Sequence, residues 1–210
     1  MGDNAMKAKR AVYIVLTDTG TWFSRLIGCY TGKKLNHASL AFDEGLREVY
    51  SFGRKQPNNP FLAGFVRENM HGDWFLRRRD VPCSIYRCEV SEPALRRIRN
   101  YVRYLDKNKN EYTYNLLGLL FVAAGIRLER ERAHFCSQFV ASALSAGGVH
   151  ISDKPPCLTT PQDFAESDRL QPVYHGTLYE YIHGLTIRKP VSVQLDAGVA
   201  FPYNRVRTTG

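Results

Sequence analysis

The chain has 210 residues, of which 44% are hydrophobic and 23% are charged, a composition typical of a soluble globular domain. No stretch reaches the roughly 18–20 apolar residues that a membrane-spanning helix needs, which argues against an integral membrane protein. The formal net charge of +9 suits an anionic small molecule, peptide, lipid or membrane surface, but no zinc-finger or RNP motif accompanies it, which argues against nucleic acid.

Cysteine content and the N-terminal residues predict a cytoplasmic protein. The five cysteines form no C-x-x-C pair and are too few for a disulfide scaffold, so we expect reduced thiols. The apolar run at 11–16 is too short for a signal peptide. Histidines and cysteines do not cluster at zinc-ligand spacing, and the glycine-containing segment 28–34 has the wrong spacing for a phosphate-binding loop. We therefore expect no cofactor and no metal.

In the first half of the chain, β-branched or alternating apolar residues predict four strands, at 11–16, 35–42, 47–52 and 83–90. A helix is expected from Thr19 to Ile27. The second and third strands form a hairpin, in which Gly45 is expected to supply a positive φ at the turn. The polar residues 58–60 predict a loop. Cys83 and Cys88 should point to opposite faces of their strand, because five steps at a period of two is odd.

The second half of the chain is mainly helical. A helix is expected after Ser91, with Leu95, Ile98, Val102 and Leu105 as its apolar stripe. A buried helix is expected at 115–124. Two more are expected, one at 133–146 that ends at the glycines 147–148, and a short capped helix near 159–164. We expect an α+β domain over 1–184, with a small antiparallel sheet and helices packed on one side of it. Residues 185–210 are expected to be an extension that wraps the domain or is partly disordered.

Cys136 is the candidate nucleophile. It falls in the first turn of the helix predicted at 133–146, where free backbone N–H groups and the helix dipole stabilise a thiolate and lower the pKa of the thiol from about 8.5. Cysteine is also among the most buried residue types, and Cys136 shares helical spacing with Val140 and Ala143. A purely structural role in the core is therefore the competing interpretation.

A thiol nucleophile needs a base, and the base needs an orienting partner. His37, at the start of the first hairpin strand, is the candidate base. If the turn is centred on residues 44–45, His37 lies opposite Phe52, and Tyr50 and Glu48 share its face of the sheet. Tyr50 is the expected third residue, with Glu48 as the alternative.

Other aromatic residues near these candidates are interpreted as structural. His134 lies two residues before Cys136, a spacing that places it on another helix face, so we expect a structural or surface role. Tyr112 and Tyr114 are expected to belong to the core.

Four segments carry a resemblance to a known family. The motifs are NHASLAF (36–42), YSFG (50–53), FCSQFVA (135–141) and TTPQDF (159–164). Together they resemble the circularly permuted branch of the NlpC/P60 superfamily of papain-like thiol hydrolases, over roughly residues 11–183. In the usual order of that superfamily the cysteine helix precedes the histidine strand, whereas here His37 comes first, as in the permuted branch.

The resemblance implies a papain-like fold and a bacterial amidase or peptidase acting on an amide or peptide, including cell-wall peptides of peptidoglycan. It implies that Cys136 forms a thioester, that His37 is the general base, and that backbone N–H groups at the start of the cysteine helix stabilise the oxyanion. The family's third residue is a polar side chain on the strand after the histidine, where Tyr50 is the best match. A lipid acyltransferase or thioesterase using the same pair, and a non-catalytic basic binding module, stay open as alternatives. The sequence does not indicate an oligomeric state.

Overall fold

The computed structural model of the protein describes residues 10–18, 35–56, 59–115, 126 and 130–187, with the backbone alone at 54–56, 59–62 and 185–187. Within these ranges the α+β class is confirmed, since a mixed set of helices packs on an antiparallel sheet. The helices predicted from Thr19 and at 115–124 fall almost wholly outside the described residues.

A six-stranded sheet forms the centre of the molecule. Its strands are β1 (Arg10–Thr17), β2 (His37–Ala41), β3 (Val49–Gln56), β4 (Asn59–Glu68), β5 (Pro82–Val90) and β8 (Gln171–Thr177), and they lie in the order β4-β3-β2-β1-β5-β8. Every neighbouring pair in this sheet is antiparallel. Two short strands, β6 (Thr113–Tyr114) and β7 (Ala133–His134), form a separate parallel pair.

The described helices are α1 (Asp73–Leu76), α2 (Glu92–Lys107), α3 (Cys136–Ala146), α4 (Pro161–Ala165) and α5 (Leu178–Ile187), with a 3₁₀ turn at Pro156–Leu158. Helix α2 begins as predicted, because the Ser91 hydroxyl accepts the N–H of Ala94 at 3.2 Å. Helix α3 ends at Gly147, and Gly148 follows with φ of +78°, a conformation that favours glycine. None of the described helices is both long and apolar enough to cross a bilayer.

Helices cover both faces of the sheet. Apolar residues of α2 and α3, including Ile98 and Leu144, pack on one face, where they meet Cys88 of β5. Leu178 and Ile182 of α5 pack on the other face, which also holds Cys83. The prediction that the two cysteines point to opposite faces is confirmed, whereas the expectation of helices on one side alone was wrong, because α5 was not predicted.

Two strands and one turn also differ from expectation. The loop predicted at 58–60 gives way, in the described part, to strand β4 from Asn59 onward, and β8 was not predicted. In the first hairpin the residue with positive φ is Leu46, at 53°, and not Gly45. Helix α5 continues to Ile187, past the predicted domain boundary at 184, and residues 188–210 of the expected extension lie outside the described residues.

Tight packing at the end of α3 predicts a stability difference between two glycines. A Cβ on Gly147 would lie 2.7 Å from Cγ1 of the buried Ile98, whereas a Cβ on Gly184 in α5 has no atom within 4 Å. We expect Gly147→Ala to lower the free energy of unfolding by about 1–3 kcal/mol through overpacking. The matched change Gly184→Ala should raise it by about 0.5–1 kcal/mol, because alanine is the better helix former. Urea unfolding of both variants measures the two changes in the free energy of unfolding. Equal changes would contradict the tight packing at Gly147.

Candidate active site

The register of β2 against β3 decides which side chains surround His37. Leu40 pairs with Tyr50 and Ala41 with Val49, so continuing the register places His37 beside Gly53. A Cβ built on Gly53 would lie 3.5 Å from Cε1 of His37, which agrees with this pairing. The predicted partner, Phe52, was one residue away from the true one.

A shift of one residue moves a whole set of side chains to the other face of a sheet. Tyr50 therefore lies on the face opposite His37, where its ring stacks on Phe65 with centroids 5.8 Å apart. Its hydroxyl donates to Glu48 at 3.4 Å, and Glu48 forms an ion pair with Arg99 at 2.9 Å. Neither predicted third residue, Tyr50 or Glu48, is bonded to the His37 ring. Their expected role is corrected here.

Glu68 is the residue that holds the imidazole. Its Oε1 lies 2.8 Å from Nε2 of His37, and the two side chains are only 12% and 18% exposed. Glu68 is the last residue of β4 and pairs with Val49, which places it on the same face as His37. The sequence analysis missed it because β4 was not predicted. The signal was a carboxylate ending a run of apolar residues and glycine at 61–66.

Cys136 is the first residue of α3 and is 2% exposed. The helix was predicted to start at Ala133, but Ala133–His134 form β7, so the predicted start was wrong by three residues and only the placement of Cys136 in the first turn is confirmed. Its thiol is hydrogen-bonded to the His37 ring and to the backbone N–H groups of Ala38 and Ser137. Burial raises the pKa of the thiol, but the hydrogen bond and positive charge of His37, together with the two N–H groups, outweigh this. The pKa of Cys136 therefore lies below its ordinary value.

The His37 imidazole is held in its charged form. Burial lowers its pKa, but the charge of Glu68 and hydrogen bonds to Cys136 and Glu68 raise it overall, to about 10. Burial also raises the pKa of Glu68, and the His37 charge with hydrogen bonds from His37, Ser51 and Ser39 lowers it overall. Because Glu68 occupies Nε2, Nδ1 is the nitrogen left for the sulfur. The three side chains form one hydrogen-bonded chain, in which each pKa is shifted toward the charged form: thiolate, imidazolium and carboxylate.

Tyr114 is a second residue at this site that the sequence analysis assigned to the core. Its neighbour in the parallel β6–β7 pair is His134, so its position next to the start of α3 follows from that pairing. The Tyr114 hydroxyl is hydrogen-bonded to the Cys136 thiol and to the backbone N–H of Cys136. Burial and then the negative charge of Cys136 raise the pKa of Tyr114 well above its ordinary value, so the phenol stays protonated.

His134 lies away from the reactive chain. Its ring packs edge-on against Phe52, with centroids 5.2 Å apart, and stacks on Tyr112 at 6.0 Å. Burial lowers its pKa, so the ring is neutral at physiological pH. In the part of the chain that the structure describes, no group of three His, Cys, Asp or Glu side chains is placed to hold a metal ion.

Replacing Glu68 tests which carboxylate orients the imidazole. We expect Glu68→Gln to lower the pKa of His37 from about 10 by more than one unit, because the charge that stabilises the imidazolium is removed. The matched change Glu48→Gln should leave it unchanged. Histidine ¹³Cε1 NMR titration measures this, with His37→Gln assigning the resonance. A larger response to Glu48→Gln would contradict the geometry.

Comparison with known proteins leaves this geometry as the main evidence on function. No protein-family model matches the chain, and no curated protein matches its sequence. The resemblance to the permuted NlpC/P60 branch accordingly stays a prediction from the four motifs, and the function has to be argued from the arrangement of Cys136, His37 and Glu68.

Proposed function

We propose that the protein is a cysteine hydrolase that cleaves an amide or peptide bond through a thioester on Cys136, built on a permuted papain-like arrangement. The observation that carries the proposal is the hydrogen-bonded chain from the Cys136 thiol through His37 to Glu68. A nucleophile, a base bonded to it and a third group that orients the base are the parts such a reaction requires.

The chemistry divides between two steps. In the first, the Cys136 thiolate attacks the carbonyl carbon and forms a C–S bond, and the His37 imidazolium gives its proton to the leaving amine as the C–N bond breaks. In the second, neutral His37 takes a proton from water, whose oxygen attacks the thioester. The acid product leaves, and the thiolate and imidazolium are restored. Glu68 stays ionised throughout and holds the ring orientation.

Stabilisation of the oxyanion needs donors beside the sulfur. Helix α3 has no side-chain cap at Phe135, and the N–H of Cys136 donates to the Tyr114 hydroxyl, so in the reaction this N–H would exchange that bond for one to the oxyanion. The N–H of Cys136 and the hydroxyl of Tyr114 both lie next to the thiol. We assign these two as donors to the developing oxyanion, in a setting where buried hydrogen bonds act strongly.

Two of the other described thiols, Cys83 and Cys88, lack such an environment. Burial raises the pKa of Cys83 to about 12 and that of Cys88 to about 11, so both stay protonated at neutral pH. A protonated thiol is a poor nucleophile. The lowered pKa of Cys136 also distinguishes the proposal from a non-catalytic basic binding module, which has no use for an activated thiol.

The proposed substrates are amides or peptides, including the cell-wall peptides that the family resemblance implies. A lipid acyltransferase or thioesterase would use the same thioester and differ in the acyl donor or in the acceptor of the second step. These reactions are separated by product analysis with an amide donor and an ester donor, each incubated with and without an added amine acceptor.

Selective alkylation tests the nucleophile. At pH 6.5 we expect iodoacetamide to label Cys136 more than about tenfold faster than Cys83 or Cys88, because the pKa of Cys136 is lowered while those of the other two are raised, which gives Cys136 the largest thiolate fraction. Mass spectrometry of tryptic peptides measures the rates. An acetyl adduct on Cys136 should also accumulate with p-nitrophenyl acetate.

The variant His37→Ala should lose the selectivity while keeping a cooperative unfolding transition. The variant Cys88→Ser serves as the matched thiol control and should leave the adduct unchanged. Equal labelling of all the thiols in the folded protein would overturn the proposal.

The role of Tyr114 is tested by removal of its hydroxyl. We expect Tyr114→Phe to slow release of p-nitrophenol by about 100-fold, the usual effect of losing one oxyanion donor. Tyr112→Phe is the matched control, since Tyr112 stacks on His134 away from the thiol, and it should keep the wild-type rate. A Tyr114→Phe enzyme with the wild-type rate would remove Tyr114 from the reaction.

A further inference from the structure

Two serines lie beside His37 and Glu68 on a face of the sheet that is otherwise mainly apolar. Ser39 and Ser51 are both fully buried, in the middle of strands that favour β-branched residues. Ser39 pairs with Val15 across β1, and this face also holds Ala41 and Val49. A buried hydroxyl among apolar neighbours is unfavourable unless it is hydrogen-bonded. The two positions therefore require a polar partner.

That partner is the carboxylate of Glu68. The Ser39 hydroxyl donates to Oε2 at 3.2 Å, and the Ser51 hydroxyl donates to Oε1, the oxygen that also accepts from His37. Continuing the β2–β3 register places Ser39 and Ser51 directly opposite each other, and the β3–β4 pairing brings Glu68 beside them. Three adjacent strands thus converge on one carboxylate.

A buried carboxylate needs these donors to stay charged. Glu68 is 12% exposed, and among the described residues it forms no ion pair with lysine or arginine. The titratable groups that face the cluster are His37 from β2, Cys136 from α3 and Tyr114 from β6. With the Cys136 thiolate, the cluster has an excess of negative charge. Hydroxyl donors offset the desolvation of Glu68 without adding another charge.

We propose that Ser39 and Ser51 are positioning residues that clamp the Glu68 carboxylate, keeping it ionised and fixed on Nε2 of His37. The proposal rests on the proposed function for its catalytic consequence: protonation of Glu68 would release the imidazole, so the clamp sets the lower pH limit of the reaction. The serines touch neither the substrate nor the reacting sulfur and act through Glu68 alone.

The direct test is the titration of Glu68 itself. Carboxyl ¹³C NMR of the wild-type protein should give a pKa for Glu68 below the ordinary value of about 4.3. In Ser39→Ala and in Ser51→Ala we expect the proton affinity of Glu68 to rise about tenfold, which is one pKa unit, because one donor to the anion is lost. In the same variants, the acid limb of the pH profile of kcat/KM for p-nitrophenyl acetate should move to higher pH by a similar amount.

Two further variants separate the clamp from general effects of a buried serine. Ser51→Thr keeps the hydroxyl on a β-branched side chain and should restore the wild-type titration. Ser84→Ala removes another buried strand serine, whose hydroxyl lies 2.6 Å from Nδ1 of His175 and not at Glu68. It should change neither the Glu68 titration nor the acid limb.

An unchanged Glu68 titration in both Ser39→Ala and Ser51→Ala overturns the proposal, as does an equal shift in Ser84→Ala. The carboxyl measurement does not require Cys136 to react. Failure of the hydrolase proposal would appear as unselective alkylation with the clamp intact, and failure of the clamp would appear as an unshifted carboxyl with selective alkylation intact.

Discussion

The ion pair between His37 and Glu68 is the interaction on which the site depends. Both side chains are mostly buried, and each has a pKa moved toward its charged form by the other, against the effect of burial. An imidazole without the carboxylate would lose its proton in this setting and could not stabilise the Cys136 thiolate. The pKa of the Cys136 thiol therefore depends on Glu68, a carboxylate that is bonded to His37 and not to the sulfur.

The register of the sheet strands brings His37 and Glu68 together. His37, Ser39, Ser51 and Glu68 belong to three adjacent strands and lie on one face because of how those strands are aligned. The alignment of β2 and β3 originates in the loop between them: Asp43 accepts the N–H groups of Arg47 and Glu48, and Leu46 adopts a positive φ. The loop thus sets the register of β2 and β3, and the register decides which side chains lie beside His37.

Local signals were enough to predict part of this structure. Three predictions depend on short-range patterns and agree with the structure: Cys136 in the first turn of α3, the Ser91 cap of α2, and the opposite faces of Cys83 and Cys88. The pairing of His37 depends on a loop whose left-handed residue is leucine, which no local rule favours. The predicted β2–β3 register was wrong by one residue, which placed Tyr50 and Glu48 on the face of His37. Glu68 was missed because β4 was not predicted, so its pairing with β3, which brings Glu68 onto the face of His37, could not be followed from the sequence.

The assembly of the site from β2, β4 and the start of α3 links reactivity to the completion of folding. Along the chain, 31 residues separate His37 from Glu68, and several elements, including β5 and α2, separate Glu68 from Cys136, so neither partner of His37 is held beside it until the sheet has formed. Before that point Cys136 is an ordinary, weakly nucleophilic thiol. Under the proposed function, a chain whose sheet has not formed would not acylate Cys136, and the appearance of thiolate reactivity would report that the last of these tertiary contacts has formed.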